Sequence, residues 1–194
     1  RTAAMRVWEE AARCGHSASV SLITAGLEDP DALVRRAAVT AIANLVGESG
    51  GLRQELSAAT EVVAGLLEHA EVGVRDVAVA TLTCLFVAHE AEVVAAVAAR
   101  LAHPEPAVHR TAAHALQLLL PPGHGEAVGA AAAQLERAGP EARCVILGVL
   151  AELASPGQDV AVMAALAHQD DADDAVRRRA TELMKRVSGR RRPR

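Results

Sequence analysis

Apolar residues recur along the chain with the spacing of an α-helix, and the same arrangement returns several times. Within residues 27–45 an apolar segment ends, the polar turn 28–31 follows, and a second apolar pattern begins. Ala38, Ile42 and Leu45 then follow one another at intervals of four and three residues. This spacing places them on one face of a helix. The stretch therefore predicts a helix end, a turn and an amphipathic second helix.

This helix–turn–helix pattern repeats along the sequence. Aligned on Arg35, its copies are separated by 34, 40, 34, 34 and 34 residues. We call the aligned residues anchors. The anchors and the apolar residues three, seven and ten positions after them lie in one stripe along a helix. That stripe predicts the core-facing side of each second helix. The anchors are Arg1, Arg35, Arg75, His109, Arg143 and Arg177.

The repeat resembles the HEAT family, in which antiparallel helix pairs stack into a solenoid. A leucine before the turn, Val–Arg at the second helix and alanine three residues later carry the resemblance over residues 1–188. It implies an all-α, right-handed α-solenoid of about five repeats with a leading half-repeat. In that family a turn Asp and a helix Arg often form stacked ladders, and Asp29 and Arg35 match both. Elsewhere the Asp is replaced, in our alignment by His69, His103, Arg137 and His168, with residues 169–174 lengthening the last turn.

Two related repeat families fit the pattern less well. Tetratricopeptide repeats share the 34-residue period, but the large aromatic and glycine positions that they need are missing here. Armadillo repeats need a third short helix, for which 34 residues leave little room.

Turn residues divide the repeats into predicted helices. The opening half-repeat covers residues 1–14, and Ser17 or Ser19 caps the next helix. Ser155–Pro156 has the pattern of an N-cap followed by proline at the first helical position. Because the sequence begins inside a repeat, we expect a piece of a longer array, followed by a disordered basic tail at residues 189–194. The other helices are expected at about 34–47, 52–68, 74–88, 90–101, 108–120, 126–137, 141–154, 158–168 and 174–187.

Composition indicates an aliphatic core in a reducing compartment. The hydrophobic fraction is 51%, with Trp8 and Phe86 as the only aromatic residues. There is no run of about 18 uncharged apolar residues, and we expect no secretory leader. The cysteines follow no metal or disulfide spacing, so free thiols and an intracellular location, cytoplasmic or nuclear, are expected. They are Cys14, Cys84 and Cys144.

Histidines and acidic residues raise the question of a metal. His69, His103 and His168 share one position after the closing leucine, but stacked repeats lie about 8–10 Å apart, too far for one ion. His109 and His114 are five residues apart and point in different directions on a helix. Residues 170–174 are rich in Asp but lack the glycine and distal glutamate of a calcium loop. We therefore expect no metal and no cofactor, with one of these aspartates capping the following helix.

The C-terminal end is basic. From Val176 onward there are nine cations and one acid, whereas the whole chain has a net charge of −4. An anionic partner such as nucleic acid is an alternative that this charge supports, although no aromatic residues are interleaved to stack bases.

No nucleophile triad, P-loop or dinucleotide-binding motif is identifiable, so no enzyme is predicted. We expect a scaffold that binds a protein partner along the second-helix face, which the HEAT resemblance implies is concave. Acidic residues at its N-terminal end and basic residues at its C-terminal end would orient that partner. The alternatives are a nucleic-acid-binding protein and a lyase or chaperone for a pigment or cofactor. The predicted partner-binding residues are Arg6, Glu9, Glu10, Thr40, Asn44, Thr83, His114, Gln117, Glu152, Glu182, Lys185 and Arg186.

Overall fold

The computed structural model describes residues 23–48 and 53–188, of which residues 45–48 and 53–58 are described by their backbone alone. Every regular element within these ranges is helical, and short 3-10 turns at Leu66–Glu68 and Arg100–Ala102 extend two of the helices. The α-helices are α1 (Ala32–Glu48), α2 (Arg53–Gly65), α3 (Val72–Phe86), α4 (Glu90–Ala99), α5 (Pro106–Leu119), α6 (Gly125–Ala132), α7 (Pro140–Leu153), α8 (Asp159–Ala167) and α9 (Asp174–Val187).

The chain divides into two compact units, unit 1 at residues 1–96 and unit 2 at residues 97–194. In unit 1, α3 packs against both α1 and α2. In unit 2, the second helices α5, α7 and α9 pack side by side, while α6 contacts α7 and α8, and α8 contacts α9. Each unit is thus built from stacked helix pairs, as in an α-solenoid.

The predicted core stripe is confirmed at the described positions except Met184, seven residues after Arg177, which is only half-buried. Three residues after the anchors the side chains are fully buried, and so are Leu82 and Leu116 seven residues after. Their neighbours Thr83 and Gln117 are exposed. Alanine at the position three residues after the anchor lets adjacent helices approach closely, which large side chains would prevent. The buried residues three after the anchors are Ala38, Ala78, Ala112, Ile146 and Ala180.

The anchors have a different role from the rest of the stripe, because most of them bind the turn that precedes their helix. Arg75 Nη1 donates to the backbone oxygens of His69 and Ala70, each at 2.8 Å. These carbonyls end the preceding helix and turn, where backbone acceptors lack helical partners. The anchor therefore clamps the turn onto the second helix. Arg35 repeats the pattern at Asp29 (2.7 Å) and Pro30 (3.1 Å), and Arg177 repeats it at Asp171 (2.6 Å) and Ala172 (3.0 Å).

His109 is the exception among these clamps. Its Nδ1–H donates to the carbonyl of His103 over 3.1 Å, while its Nε2 is buried without a hydrogen-bond partner. Only 1% of His109 is exposed. This repeat is therefore held by one clamp bond where an arginine would supply two.

A second repeated contact lies within the turn itself. Six residues before the anchor, a side chain accepts a hydrogen bond from the backbone amide two residues further on. Asp is well suited to this local turn, and the neutral Nδ1 of histidine supplies the same acceptor. His69 and His103 thus replace Asp chemically as well as in position. The four bonds are Asp29 with Asp31 (2.8 Å), His69 with Glu71 (3.0 Å), His103 with Glu105 (3.1 Å) and Asp171 with Asp173 (3.0 Å).

The prediction that His168 takes the Asp position in the last repeat is wrong. Its Nδ1–H donates to the carbonyl of Ala164 in the preceding helical turn at 3.0 Å, and Asp171 occupies the turn position. The error came from treating the last turn as lengthened. Residues 168–173 connect α8 to α9 and residues 133–139 connect α6 to α7, so the last connection is no longer than the previous one.

One Asp–Arg rung of the ladder is present between repeats. Arg143 Nη1 donates to Asp171 Oδ2 at 3.1 Å, with 30% of the arginine and 8% of the aspartate side chain exposed. The hydrogen bond from the backbone amide of Asp173 has the largest effect and lowers the pKa of Asp171, burial raises that pKa by the next largest effect, and the Arg143 charge lowers it further. Asp171 consequently links its own turn to the anchor of the previous repeat.

Three local predictions in unit 2 are also wrong. The closing leucine two residues before His168, which the repeat pattern places in the core, is Leu166; it is 50% exposed, because the smaller Ala161 and Ala165 fill the interior there. The helix predicted to reach residue 137 ends at Ala132, since the chain tightens into turns that bury Leu135. Ser155 and Pro156 lie in the turn before α8, whose N-cap is Gln158.

Replacing Arg75 by Met should destabilise unit 1 by about 1–2 kcal/mol, because two charged hydrogen bonds to turn carbonyls are lost while the aliphatic stem remains. The matched control is Asp76→Ala, at the exposed neighbouring position, which should change stability by less than about 0.5 kcal/mol. Urea unfolding followed by circular dichroism measures both. Equal midpoints for the two variants would show that the clamp contributes nothing.

Candidate functional site

The predicted partner-binding residues lie on exposed helix surface wherever the structure describes them. Thr40, Asn44 and Thr83 belong to unit 1, and the six from His114 to Arg186 belong to unit 2. Both threonine hydroxyls donate to carbonyls of their own helices, at Arg36 and Val79. The remaining three, Arg6, Glu9 and Glu10, fall outside the described residues.

Unit 2 brings four of the predicted residues together at one groove. It runs across the second helices α5, α7 and α9 and has a volume of about 260 Å³. The four are Gln117, Glu152, Glu182 and Arg186. Ala113, Cys144, Val145, Gly148, Val149, Ala151 and Arg179 also line it.

Small residues of α7 form the floor of this groove. Ala151 is almost fully buried, and Gly148 is half-buried on the same helix. A Cβ added at Gly148 would meet no atom within 4 Å, so the space above this glycine is open. The absence of side chains here allows another chain to approach the α7 backbone closely.

Charged side chains stand at the α9 edge of the groove. Arg179 Nη1 donates to Glu182 Oε2 at 2.9 Å, and the two side chains are 52% and 61% exposed. An ion pair this exposed contributes little to stability and can rearrange when a partner binds. Arg186 is also exposed, one turn further along α9.

Cys144 lies inside the groove as a half-buried free thiol. Burial is the main cause that raises its pKa, and the nearby Asp173 carboxylate raises it further. The neutral thiol is therefore favoured, as expected for a packing residue rather than a nucleophile. Cys84 of unit 1 is likewise a free thiol whose pKa is raised by burial.

Two predicted residues of unit 2 do not line the groove. His114 lies on the exposed side of α5. Lys185 instead lines a separate open cavity of about 710 Å³ on another side of α9. The reason is helical geometry, since Lys185 and Arg186 are consecutive and diverge by about 100° around the axis.

The sequence analysis missed Cys144, Val145 and Arg179. They lie one or two residues after an anchor, on the flank of each second helix that meets a neighbouring repeat. The predicted partner-binding residues are the polar ones five, eight and nine positions after the anchor. An alignment, by position after the anchor, of the small and apolar residues of α7 with the polar residues of α9 would have identified the floor of the groove.

The acidic turn before α9 supplies the N-cap of that helix. Asp173 Oδ1 accepts hydrogen bonds from the amides of Ala175 (2.7 Å) and Val176 (3.3 Å), which confirms that one aspartate caps this helix.

Within the described ranges, no group of three or more His, Cys, Asp or Glu side chains is placed to hold a metal ion. None of the helices that the structure describes combines the length and apolar character needed to cross a bilayer.

Comparisons with known proteins concern architecture. No curated protein sequence matches the chain. A designed armadillo repeat protein in complex with the peptide (KR)4 is similar with 18% identity and a TM-score of 0.45, covering 92% of this chain and 86% of that chain. An engineered protein has 19% identity and a TM-score of 0.43, covering 95% and 88%.

The family model described as HEAT repeat matches residues 20–47. That segment contains Asp29 and Arg35, which form the turn and clamp contacts of its repeat. The same contacts return at Arg75 and Arg177, with the buried alanine three residues later. Residues 20–47 thus match a HEAT repeat, and the repeats anchored at Arg75 and Arg177 share its turn and clamp contacts.

Proposed function

We propose that the chain is a non-catalytic scaffold whose protein partner binds along the groove of α5, α7 and α9. The observation that carries the proposal is that three successive repeats contribute side chains to one open groove with a floor of small residues. At about 260 Å³, the groove is smaller than the 300–1,000 Å³ usual for small-molecule sites. Its size therefore favours a few side chains of a longer partner segment.

The lining residues favour many modest contacts over one dominant anchor. No aromatic side chain lines the groove, although aromatic residues are the commonest hot spots of protein interfaces. Gly148 and Ala151 instead offer close approach to a helix or an extended segment. Affinity on this floor would come from the length of the bound segment.

Polar side chains at the groove edges would set the partner's register. Gln117 on α5 has both a donor and an acceptor for a peptide group. Arg186 on α9 presents a guanidinium that can bind a carboxylate through two parallel hydrogen bonds. We infer a partner segment with a carboxylate at its α9 end and main-chain contacts at its α5 end.

Reversing the charge of Arg186 should weaken partner binding about tenfold and reduce its dependence on salt, because an attractive charge pair becomes repulsive. Lys185→Glu has the same charge change on the neighbouring residue outside the groove, and it should leave affinity within about twofold. The measurement is titration of the immobilised full chain with the proteins that it captures from nuclease-treated lysate. Greater loss with Lys185→Glu than with Arg186→Glu would contradict the groove.

Filling the floor offers an independent test. Gly148→Gln should reduce binding about tenfold, because its side chain occupies the space into which the partner would pack. Gly129→Gln on α6 is the matched control, since a Cβ at either glycine meets no atom within 4 Å.

Capture that disappears with nuclease would favour the nucleic-acid alternative, and co-purifying colour would favour the pigment alternative. Either result would overturn the protein-scaffold proposal.

A further inference from the structure

The groove of α5, α7 and α9 is lined by four described charged side chains, and two of them have no partner. Arg179 and Glu182 pair with each other at 2.9 Å. Glu152 of α7 and Arg186 of α9 line the same groove, and both are exposed. Neither side chain forms an ion pair or a hydrogen bond within the part of the chain that the structure describes. Among its described lining residues, the groove therefore presents one unpaired carboxylate and one unpaired guanidinium.

These two charges lie at the same level along their helices. Each is nine residues after an anchor, and each directly precedes the last residue of its helix, Leu153 of α7 or Val187 of α9. Helix α7 packs against α9, and the axes of packed helices are about 8–10 Å apart. A segment that crosses the ends of the two helices thus meets a negative charge and then a positive charge.

The helix ends strengthen the difference between these two positions. Carbonyl groups at the C-terminus of a helix carry a partial negative charge. The last turn of α7 contains no basic residue, so its carbonyls add to the negative potential of Glu152. The last turn of α9 contains both Lys185 and Arg186, which reverse the sign there. The α7 position therefore favours a cation, and the α9 position favours an anion.

We propose that the groove selects a partner segment that carries a cation and a carboxylate about 8–10 Å apart. The cation, from a lysine or arginine side chain, binds Glu152, and the carboxylate binds Arg186. In an extended segment this separation corresponds to about three residues. A purely basic segment would be repelled by Arg186, and a nucleic-acid backbone would be repelled by Glu152. The inference rests on the proposed groove and adds the charge pattern that its partner must have.

The test uses four peptides of roughly 12 residues, long enough in extended form to cross three helices. Both termini are capped, and all four carry the same neutral fluorophore. They differ only at two positions three residues apart, which hold Lys and Glu, Lys and Gln, Gln and Glu, or Gln and Gln. By fluorescence anisotropy with the full chain, each peptide charge should raise affinity about fivefold, so the Lys–Glu peptide should bind roughly 25-fold more tightly than the Gln–Gln peptide.

Two neutralising variants assign each peptide charge to one side chain of the groove. Glu152→Gln should weaken binding of the two Lys peptides about fivefold and leave the Gln–Glu peptide within about twofold. Arg186→Gln should weaken the two Glu peptides about fivefold and leave the Lys–Gln peptide within about twofold. Glu141→Gln on α7 and Lys185→Gln on α9 are the matched controls, since they make the same charge changes at exposed positions outside the groove. Each control should change every affinity by less than about twofold.

Equal affinity for the four peptides, no binding by any of them, or equal weakening of every charged peptide by both variants would overturn the charge assignment. Gly148→Gln separates that failure from failure of the groove. If Gly148→Gln reduces capture from lysate while the four peptides bind equally or not at all, the groove remains and the charge assignment is wrong. If Gly148→Gln changes neither capture nor peptide binding, the groove is not the binding site and both proposals fail.

Discussion

Replacing Leu116 by Asp should destabilise unit 2 by about 4 kcal/mol or more, because an unpaired carboxylate would enter an aliphatic interior. Leu116 is fully buried in α5, among apolar residues that cannot hydrogen-bond to the new charge. The adjacent Gln117 is exposed, and Gln117→Asp should cost less than about 1 kcal/mol. Urea unfolding followed by circular dichroism would show a much lower midpoint for the first variant than for the second.

Unit 1 provides the matched pair Leu82→Asp and Thr83→Asp, since Leu82 is fully buried and Thr83 is exposed. In a repeat protein each helix pair is stabilised mainly by its immediate neighbours. The Leu82 variant should therefore shift the transition of unit 1 more than that of unit 2. If buried and exposed substitutions lowered the midpoint equally in both units, the register of the core stripe would be wrong.

Periodicity predicted the second helices well because their burial repeats with the anchors. The prediction for α9 matches its observed bounds, Asp174–Val187. First helices were harder, since they are short and rich in alanine and carry little contrast between faces. Helix α6 shows this limit. Helix propensity favours continuation towards residue 137, but burial of Leu135 requires the chain to turn after Ala132.

The anchors show what spacing alone leaves undecided. An arginine on the same stripe as buried alanines can sit in a polar ladder, bind a turn or face solvent, and all three have identical periodicity. Arg75 binds two carbonyls of its own turn, whereas Arg143 binds the carbonyl of Leu135 before its helix and also the carboxylate of Asp171 in the next repeat. The difference depends on where each turn places its acceptors, which is a property of the folded backbone.

The candidate groove was predicted in part for a related reason. Polar residues on the second-helix face could be identified from their positions after the anchor, and Gln117 and Glu152 line the groove as that face predicts. Cys144 and Val145, which also line the groove, were not predicted. Their contribution depends on how α7 packs between its neighbours, and no polar pattern in the sequence marks it.

Asp171→Ala should destabilise unit 2 by about 2–3 kcal/mol, because it removes two contacts at once. The Oδ1 atom accepts from the amide of Asp173, and Oδ2 accepts from Arg143 of the preceding repeat. Asp171→Asn keeps an acceptor for the turn but loses the charge, so it should cost about 1 kcal/mol. Asp170→Asn, at the exposed neighbouring position, should change stability by less than about 0.5 kcal/mol. Urea unfolding at neutral pH measures the losses of stability of the three variants and so tests this order directly.

The same variants predict a specific dependence on acid. The hydrogen bond from Asp173 and the Arg143 charge lower the pKa of Asp171 in the folded chain. The ionised carboxylate therefore stabilises the fold fully above the ordinary aspartate range. This contribution is lost as the pH falls from that range through the lowered pKa of the folded state. The stability difference between the native chain and Asp171→Asn should shrink over this interval, while the Asp170→Asn difference stays small. A difference for Asp171→Asn that is constant with pH would show that the ionised carboxylate does not link the last two repeats.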